Sequence, residues 1–168
     1  MLQRLKNEFN RKKAKGKFNP DEELIRLHRM LKREIKRNFS GLLKLFILDT
    51  GSCSACELEL QALFNPIYDV SRIGIEVVYT IEEADILLVT GLFTPNMYGE
   101  VEECYRRLKS PKHIVGIGAC PMGDSPLKAS LTLSNEKEAF FKNCHTIAGC
   151  PPDPKALLRG LLNYLEHL

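Results

Sequence analysis

A doubly wound α/β fold on a mainly parallel sheet is predicted by two features of this 168-residue sequence. The first is a set of four short runs, "LLKLFIL", "IEVVYT", "DILLVTG" and "HIVGIG", apolar and rich in β-branched residues, each ending at glycine or a polar turn. Continuous apolar runs of this length suit strands buried on both faces, as parallel sheets require. The second is the helical character of the intervening and following stretches, "ACELELQALF", "NMYGEVEECYRRL" and "DPKALLRGLLNYLEHL". Strands alternating with helices give a flavodoxin-like arrangement with four strands. Internal repeats are absent from the sequence.

Ahead of the first run the texture differs. Residues 1–40 hold 13 Lys/Arg against five Asp/Glu, while the remainder is mildly acidic. The opening "MLQRLKNEFNRKKAKGK" has no apolar core and no small-residue cleavage site, so it does not read as a secretory signal. No run approaches the ~18 apolar residues of a membrane span. Nucleic acid is an unpromising partner, because the arm lacks interleaved aromatics and no binding motif follows it. A solvated extension, or docking on a partner subunit or an anionic membrane face, fits better.

Next, "NPDEELIRLHRMLKREIKRN" reads as a helix, with Asn19 as cap, Pro20 at the first helical position, and Asp21, Glu22 and Glu23 answering the dipole. Leu24, Leu27, Leu31 and Ile35 form one apolar stripe within a basic surface. This stripe needs a cover, from this domain or a neighbour, and a partner subunit near the cytoplasmic membrane face is the one expected. The division expected is therefore a basic arm and helix over residues 1–40 and an α/β domain over residues 41–168. At the far end, Asp153 caps the last helix and Pro154 starts it.

Six cysteines in a chain without a secretory signal point to metal or redox chemistry rather than to disulfides. Cys53 and Cys56, in "GSCSAC", follow the first run, Cys120 follows "HIVGIG", and Cys150 lies in "IAGCPPDP" before the last helix. In open α/β sheets ligands bind beyond the carboxyl ends of strands, so these cysteines fall at the functional edge. Three chemistries compete. A thioredoxin-type dithiol matches strand, C-x-x-C and helix, but leaves Cys120 and Cys150 without a role. A zinc site would pair "CSAC" with two lone cysteines thirty residues apart, whereas two close pairs are the common pattern. A [4Fe–4S] cube takes one thiolate at each corner iron, which separate loops can supply. Gly51, Gly118, Gly123 and Gly149 would let backbone approach it, and Pro151 and Pro152 would stiffen the last loop.

Of the other two cysteines, Cys104 sits at helical spacing in "EVEECYRRL" and reads as a small core residue. Cys144, six residues before Cys150, competes with it, the Gly-Cys-Pro-Pro context favouring Cys150. His113 and His145 read as strand-edge or loop residues, and Tyr68 and Asp69 as a turn.

Taken together, "GSCSACELE", "GIGACPMGD" and "AGCPPDP", in this order over roughly residues 42–165, resemble a known family. It is shared by the small subunit of [NiFe] hydrogenases and the 20 kDa-type cluster subunit of respiratory complex I. The C-x-x-C spacing is similar to the hydrogenases, since complex I subunits usually have adjacent cysteines. "ALFNPIYDVSRIGIEVVYTIEEADILLVTG" resembles the membrane-bound, energy-conserving branch. The resemblance implies one [4Fe–4S] cluster per chain on Cys53, Cys56, Cys120 and Cys150. It implies a large [NiFe] hydrogenase-type partner, a ferredoxin-like iron–sulfur subunit and membrane ion-translocating subunits, with this chain peripheral on the cytoplasmic side. It also implies that an acid after the second cysteine, Glu59 ahead of Glu57, can stand where protons move. Asp124 departs from the second glycine that relatives often show. The alternatives are a complex I-like quinone or sulfur reductase subunit and, from another class, a zinc-stabilised interaction module.

Overall fold

The computed structural model describes residues 21–123 and 144–168. Asn19, Pro20, the rest of the basic arm and Asp124 lie outside them. The first helix, α1 (Glu22–Phe39), is capped by Asp21, whose carboxylate accepts from the Glu23 and Leu24 amides at 3.1 and 3.3 Å. This corrects the expected cap at Asn19. A carboxylate one residue before the helix satisfies two otherwise orphaned donors and meets the positive end of the dipole.

The sheet holds β1 (Leu43–Asp49), β2 (Ile75–Val77), β3 (Ile86–Thr90), β4 (His113–Ile117) and β5 (His145–Ile147). All pairs are parallel and the order is β2-β1-β3-β4-β5. This is the flavodoxin-like order, whose reversal between β1 and β3 opens a ligand crevice. Among the described residues there are five strands rather than the four expected. β5 has only three residues, His-Thr-Ile, too short and too polar to stand out as an apolar run. It exists because β4 offers a free ladder, with Ile117 opposite Ile147 and the Gly118 amide donating to the Ile147 carbonyl at 2.8 Å.

All five residues of β3 are buried, as a strand covered on both faces demands. Its alternate side chains feed two cores. Ile86 and Leu88 join the layer formed by α1, α2 (Ala55–Ala62) and α5 (Pro154–Glu166). Leu87 and Val89 face α3 (Tyr98–Arg107) through Val101 and Cys104. One further helix, α4 (Ala119–Met122), is a single turn after β4. As expected, Asp153 caps α5, accepting from the Ala156 amide at 2.9 Å, and Pro154 opens the helix.

The apolar stripe of α1 is not left for a partner. Leu24, Leu27, Leu31 and Ile35 are buried in the same core as Leu157, Leu158, Leu161 and Leu165 of α5. Each such side chain contributes on the order of 1.5–3 kcal/mol by burial. Asn38 Nδ2 donates to the Leu165 carbonyl at 2.9 Å, and Arg159 Nη2 meets Glu23 at 2.6 Å. The amphipathic helix is therefore part of the α/β layer structure, and only its basic face looks outward.

Two half-buried histidines make this packing sensitive to pH. Burial pushes His28 on α1 below its ordinary 6.5, against the opposing pull of the Tyr68 carbonyl and Asp69, and its Nε2 has no hydrogen-bond partner among the described residues. Burial likewise lowers His113, while Asp85 opposes the shift. His113 Nδ1 lies 2.8 Å from the Tyr164 hydroxyl. A folded-state pKa below the unfolded value means that the unfolded chain takes up the proton more readily. The associated stability is present above pH 6.5 and is lost as pH falls through the lowered values. Urea midpoints are expected to drop between pH 7.5 and pH 5.5, and the drop should shrink in His28→Gln and His113→Gln. A pH-independent midpoint across that window would contradict the assignment.

Candidate functional site

Three loops leave the carboxyl edge of the sheet and are laced to their neighbours. After β1, Asp49 accepts from the Gly51 and Ser52 amides at 2.9 and 2.8 Å. Thr50 Oγ1 donates to the Thr90 carbonyl at 2.6 Å and accepts from the Phe93 amide at 3.0 Å, tying this loop to the one after β3. Ser54, at φ 64°, turns the chain into α2, which begins at Ala55. Cys53 thus precedes the helix and is exposed, while Cys56 sits in its first turn and is buried.

After β4, Gly118 at φ 91° leads into α4, whose second residue is the buried Cys120. The Ala119 amide donates to the Gly149 carbonyl at 2.7 Å, so the third loop, carrying the exposed Cys150, is held against the second. The glycines named from the sequence at 51, 118, 123 and 149 all have positive φ. Gly118 is the one that touches a cysteine. A Cβ there would lie 2.7 Å from Cys56 Sγ, so the bare backbone is what lets this sulfur stand against the neighbouring loop.

The four sulfurs share one electrostatic neighbourhood. Burial pushes the Cys56 thiol up to about 12, and negative charge on Glu57, Cys120, Cys53 and Cys150 adds to the rise. Four thiolates crowded this way coexist only where cations lie among them. Among the described residues, however, no three Cys, His, Asp or Glu side chains are gathered tightly enough to share one ion.

The remaining sequence candidates lie elsewhere. Cys104 is buried beside Val101 and Leu108, and burial raises its pKa. Cys144 is half-buried against that same core and stands at the amino end of β5, whereas Cys150 lies beyond its carboxyl end. His113 and His145 are also at the amino edge, His145 lying 5.3 Å from the Tyr164 ring. Asn65 accepts from the Ile67 and Tyr68 amides and Asp69 pairs with Arg72, which makes "NPIYDV" the turn expected.

Of the polar neighbours of the thiols, the threonines carry no signal in the sequence. Glu57, rather than Glu59, is tied into the edge: Thr90 Oγ1 donates to Glu57 Oε1, and Glu57 Oε2 is buried without a partner among the described residues. Thr50 and Thr90 are fully buried, and by sequence alone they look like ordinary strand-end threonines.

A parallel, flavodoxin-like sheet with cysteines in three loops at its carboxyl edge places the chain among open α/β proteins whose site lies beyond the strand ends. The model of the family described as NADH ubiquinone oxidoreductase, 20 Kd subunit, matches residues 53–164, and the chain belongs to that family. It is similar to a probable membrane-bound hydrogenase subunit, mbhJ, of Pyrococcus furiosus, with 37% identity over 73% of this chain and 74% of the relative. It is also similar to an NADH-quinone oxidoreductase subunit of Clostridium beijerinckii, with 31% identity over 71% of each. Among solved structures, a chain of a membrane-bound sulfane sulfur reductase, an archaeal respiratory membrane complex, shares the fold. Its TM-score is 0.62 at 23% identity, over 82% of this chain and 73% of the other.

Proposed function

We propose that this chain is the electron-transfer small subunit of a membrane-bound [NiFe] hydrogenase complex. One [4Fe–4S] cluster would be held by Cys53, Cys56, Cys120 and Cys150. The observation that carries this reading is the lacing of the three loops, which brings two buried and two exposed sulfurs to one edge of the sheet. The C-x-x-C spacing and the similarity to mbhJ favour the hydrogenase branch. When bound, the cluster supplies one-electron transfer. The chain's own residues do the rest. Thr50 and the hydrogen bond from the Ala119 amide to the Gly149 carbonyl fix the loops. The α2 terminus offsets the negative charge. Core leucines exclude water from Cys56.

The partners in this reading are a large [NiFe] hydrogenase-type subunit, a ferredoxin-like subunit and membrane ion-translocating subunits. Exposed Leu58 and Met122, close in sequence to Cys56 and Cys120, supply apolar surface suited to a subunit contact. No described helix is long and apolar enough to cross a membrane; in this reading the chain is a peripheral subunit on the cytoplasmic side. The similarity to the NADH-quinone oxidoreductase relative supports a second reading, a complex I-like quinone or sulfur reductase subunit. A large partner with two nickel-binding C-x-x-C pairs would favour the hydrogenase, and one without them the reductase.

Metal analysis tests the cluster itself. Anaerobically purified protein is expected to hold about four irons and four labile sulfides per chain, with a reducible cluster signal by electron paramagnetic resonance. One zinc per chain without sulfide would instead identify the zinc-stabilised interaction module.

A further inference from the structure

With the stripe of α1 packed on α5, the opposite side of that helix is a surface without a described cover. At about 3.6 residues per turn, Arg26, Arg29, Lys32, Arg33, Lys36 and Arg37 fall on the side away from Leu31 and Ile35, and all six are exposed. They run along ~17 Å of helix. The acids that would neutralise them are mostly directed elsewhere. Glu34 is 2% exposed and held inward, 2.9 Å from both Arg33 and Arg37. Glu23 is turned to Lys155 and Arg159. That leaves Glu22, in the first turn, as the acid of this face. Arg26, Arg29, Lys32 and Lys36 form no ion pair with another described residue.

The chemistry of the face selects its occupant. Protein interfaces have apolar or aromatic centres depleted in lysine. Here the one exposed large apolar side chain is Ile25, 42% exposed, in a strip of six cations with Glu22 as its one acid. A strip of long, separate cations suits mobile anions that can gather around each one, which is what lipid headgroups provide. The sequence continues the charge, since residues 1–20 add seven Lys/Arg against Glu8 alone.

We propose that the outer face of α1 docks this chain on the anionic headgroups of a phospholipid bilayer, with the helix lying along the surface. The inference adds a partner to the peripheral-subunit reading and rests on it only for location.

The test is co-sedimentation of the full-length, iron-loaded chain with phosphatidylcholine vesicles, with and without phosphatidylglycerol. Binding is expected only with phosphatidylglycerol and should be released by salt. The variant Arg29→Gln/Lys32→Gln/Lys36→Gln keeps the buried stripe and residues 1–20. It should bind more weakly by on the order of a hundredfold, each surface cation contributing on the order of fivefold. The proposal is overturned if the wild-type chain ignores phosphatidylglycerol. It is overturned as well if the variant binds as tightly as wild type, which assigns the affinity to another surface. Binding that requires membranes bearing partner proteins would assign the face to a protein and overturn it too. Iron and sulfide measured on the same samples report on the cluster separately, so failure of either reading is distinguishable from failure of the other.

Discussion

Cys56→Ala is expected to strip the chain of iron and to loosen the carboxyl edge of the sheet. Its sulfur is buried, stands against Gly118, and belongs to the set drawn from three loops. In the proposed cluster, removing one thiolate would leave an iron corner without its ligand. Because metal binding is part of the folding free energy, the loops lose their common anchor as well. Losses of this kind belong to the short group of single changes that cost more than about 4 kcal/mol. The thermal midpoint of a chain this size should then fall by on the order of 10 °C. Cys53→Ala, Cys120→Ala and Cys150→Ala should behave alike in iron content and electron transfer. Cys104→Ala removes a small core side chain at about 1 kcal/mol and should keep the iron. Cys144→Ala should keep it too. Iron analysis and calorimetry on the six variants decide the matter. A Cys144 variant without iron beside a Cys150 variant with it would overturn the fourth ligand.

The second large effect is expected at Gly118→Ala. The residue sits at φ 91°, where a side chain costs about 1–3 kcal/mol. The new methyl would also lie 2.7 Å from Cys56 Sγ, and relieving that overlap means moving the sulfur or the strand end, for roughly another 1–3 kcal/mol. Gly123→Ala separates the two causes. Gly123, at φ 79° and ψ 11° in the left-handed region, has open space where its Cβ would go, so it bears a smaller backbone cost and no clash with sulfur. The expected result is lowered stability in both variants and lowered iron occupancy in Gly118→Ala only. Full iron occupancy in Gly118→Ala would show that Cys56 Sγ is free to shift without leaving its metal.

Features written in local pattern were readable from the sequence alone. The runs at β1, β3 and β4 announced buried strands because each had to be apolar on both faces. Asp153 and Pro154 announced the start of α5 because capping acts within one turn. The stripe of α1 marked its buried face correctly, and Cys53, Cys56 and Cys120 do follow strand ends.

Other features depend on partners distant in the chain, and only packing resolved them. "His-Thr-Ile" has no strand signature of its own and becomes β5 by pairing with β4. That pairing in turn puts three residues, ~10 Å of strand, between Cys144 at one edge and the loop of Cys150 at the other. The sequence could weigh those two cysteines only by their flanking residues. The cover on α1 is a similar case, since periodicity tells which face is buried but not what buries it, and the answer was α5, more than a hundred residues away. Glu57 and Glu59 are equivalent as helix-start acids, and it took the register of β1 beside β3 to set Thr90 under Glu57 alone. Local sequence expresses what a segment prefers to be; which distant segment meets its exposed groups is settled by packing of the whole chain.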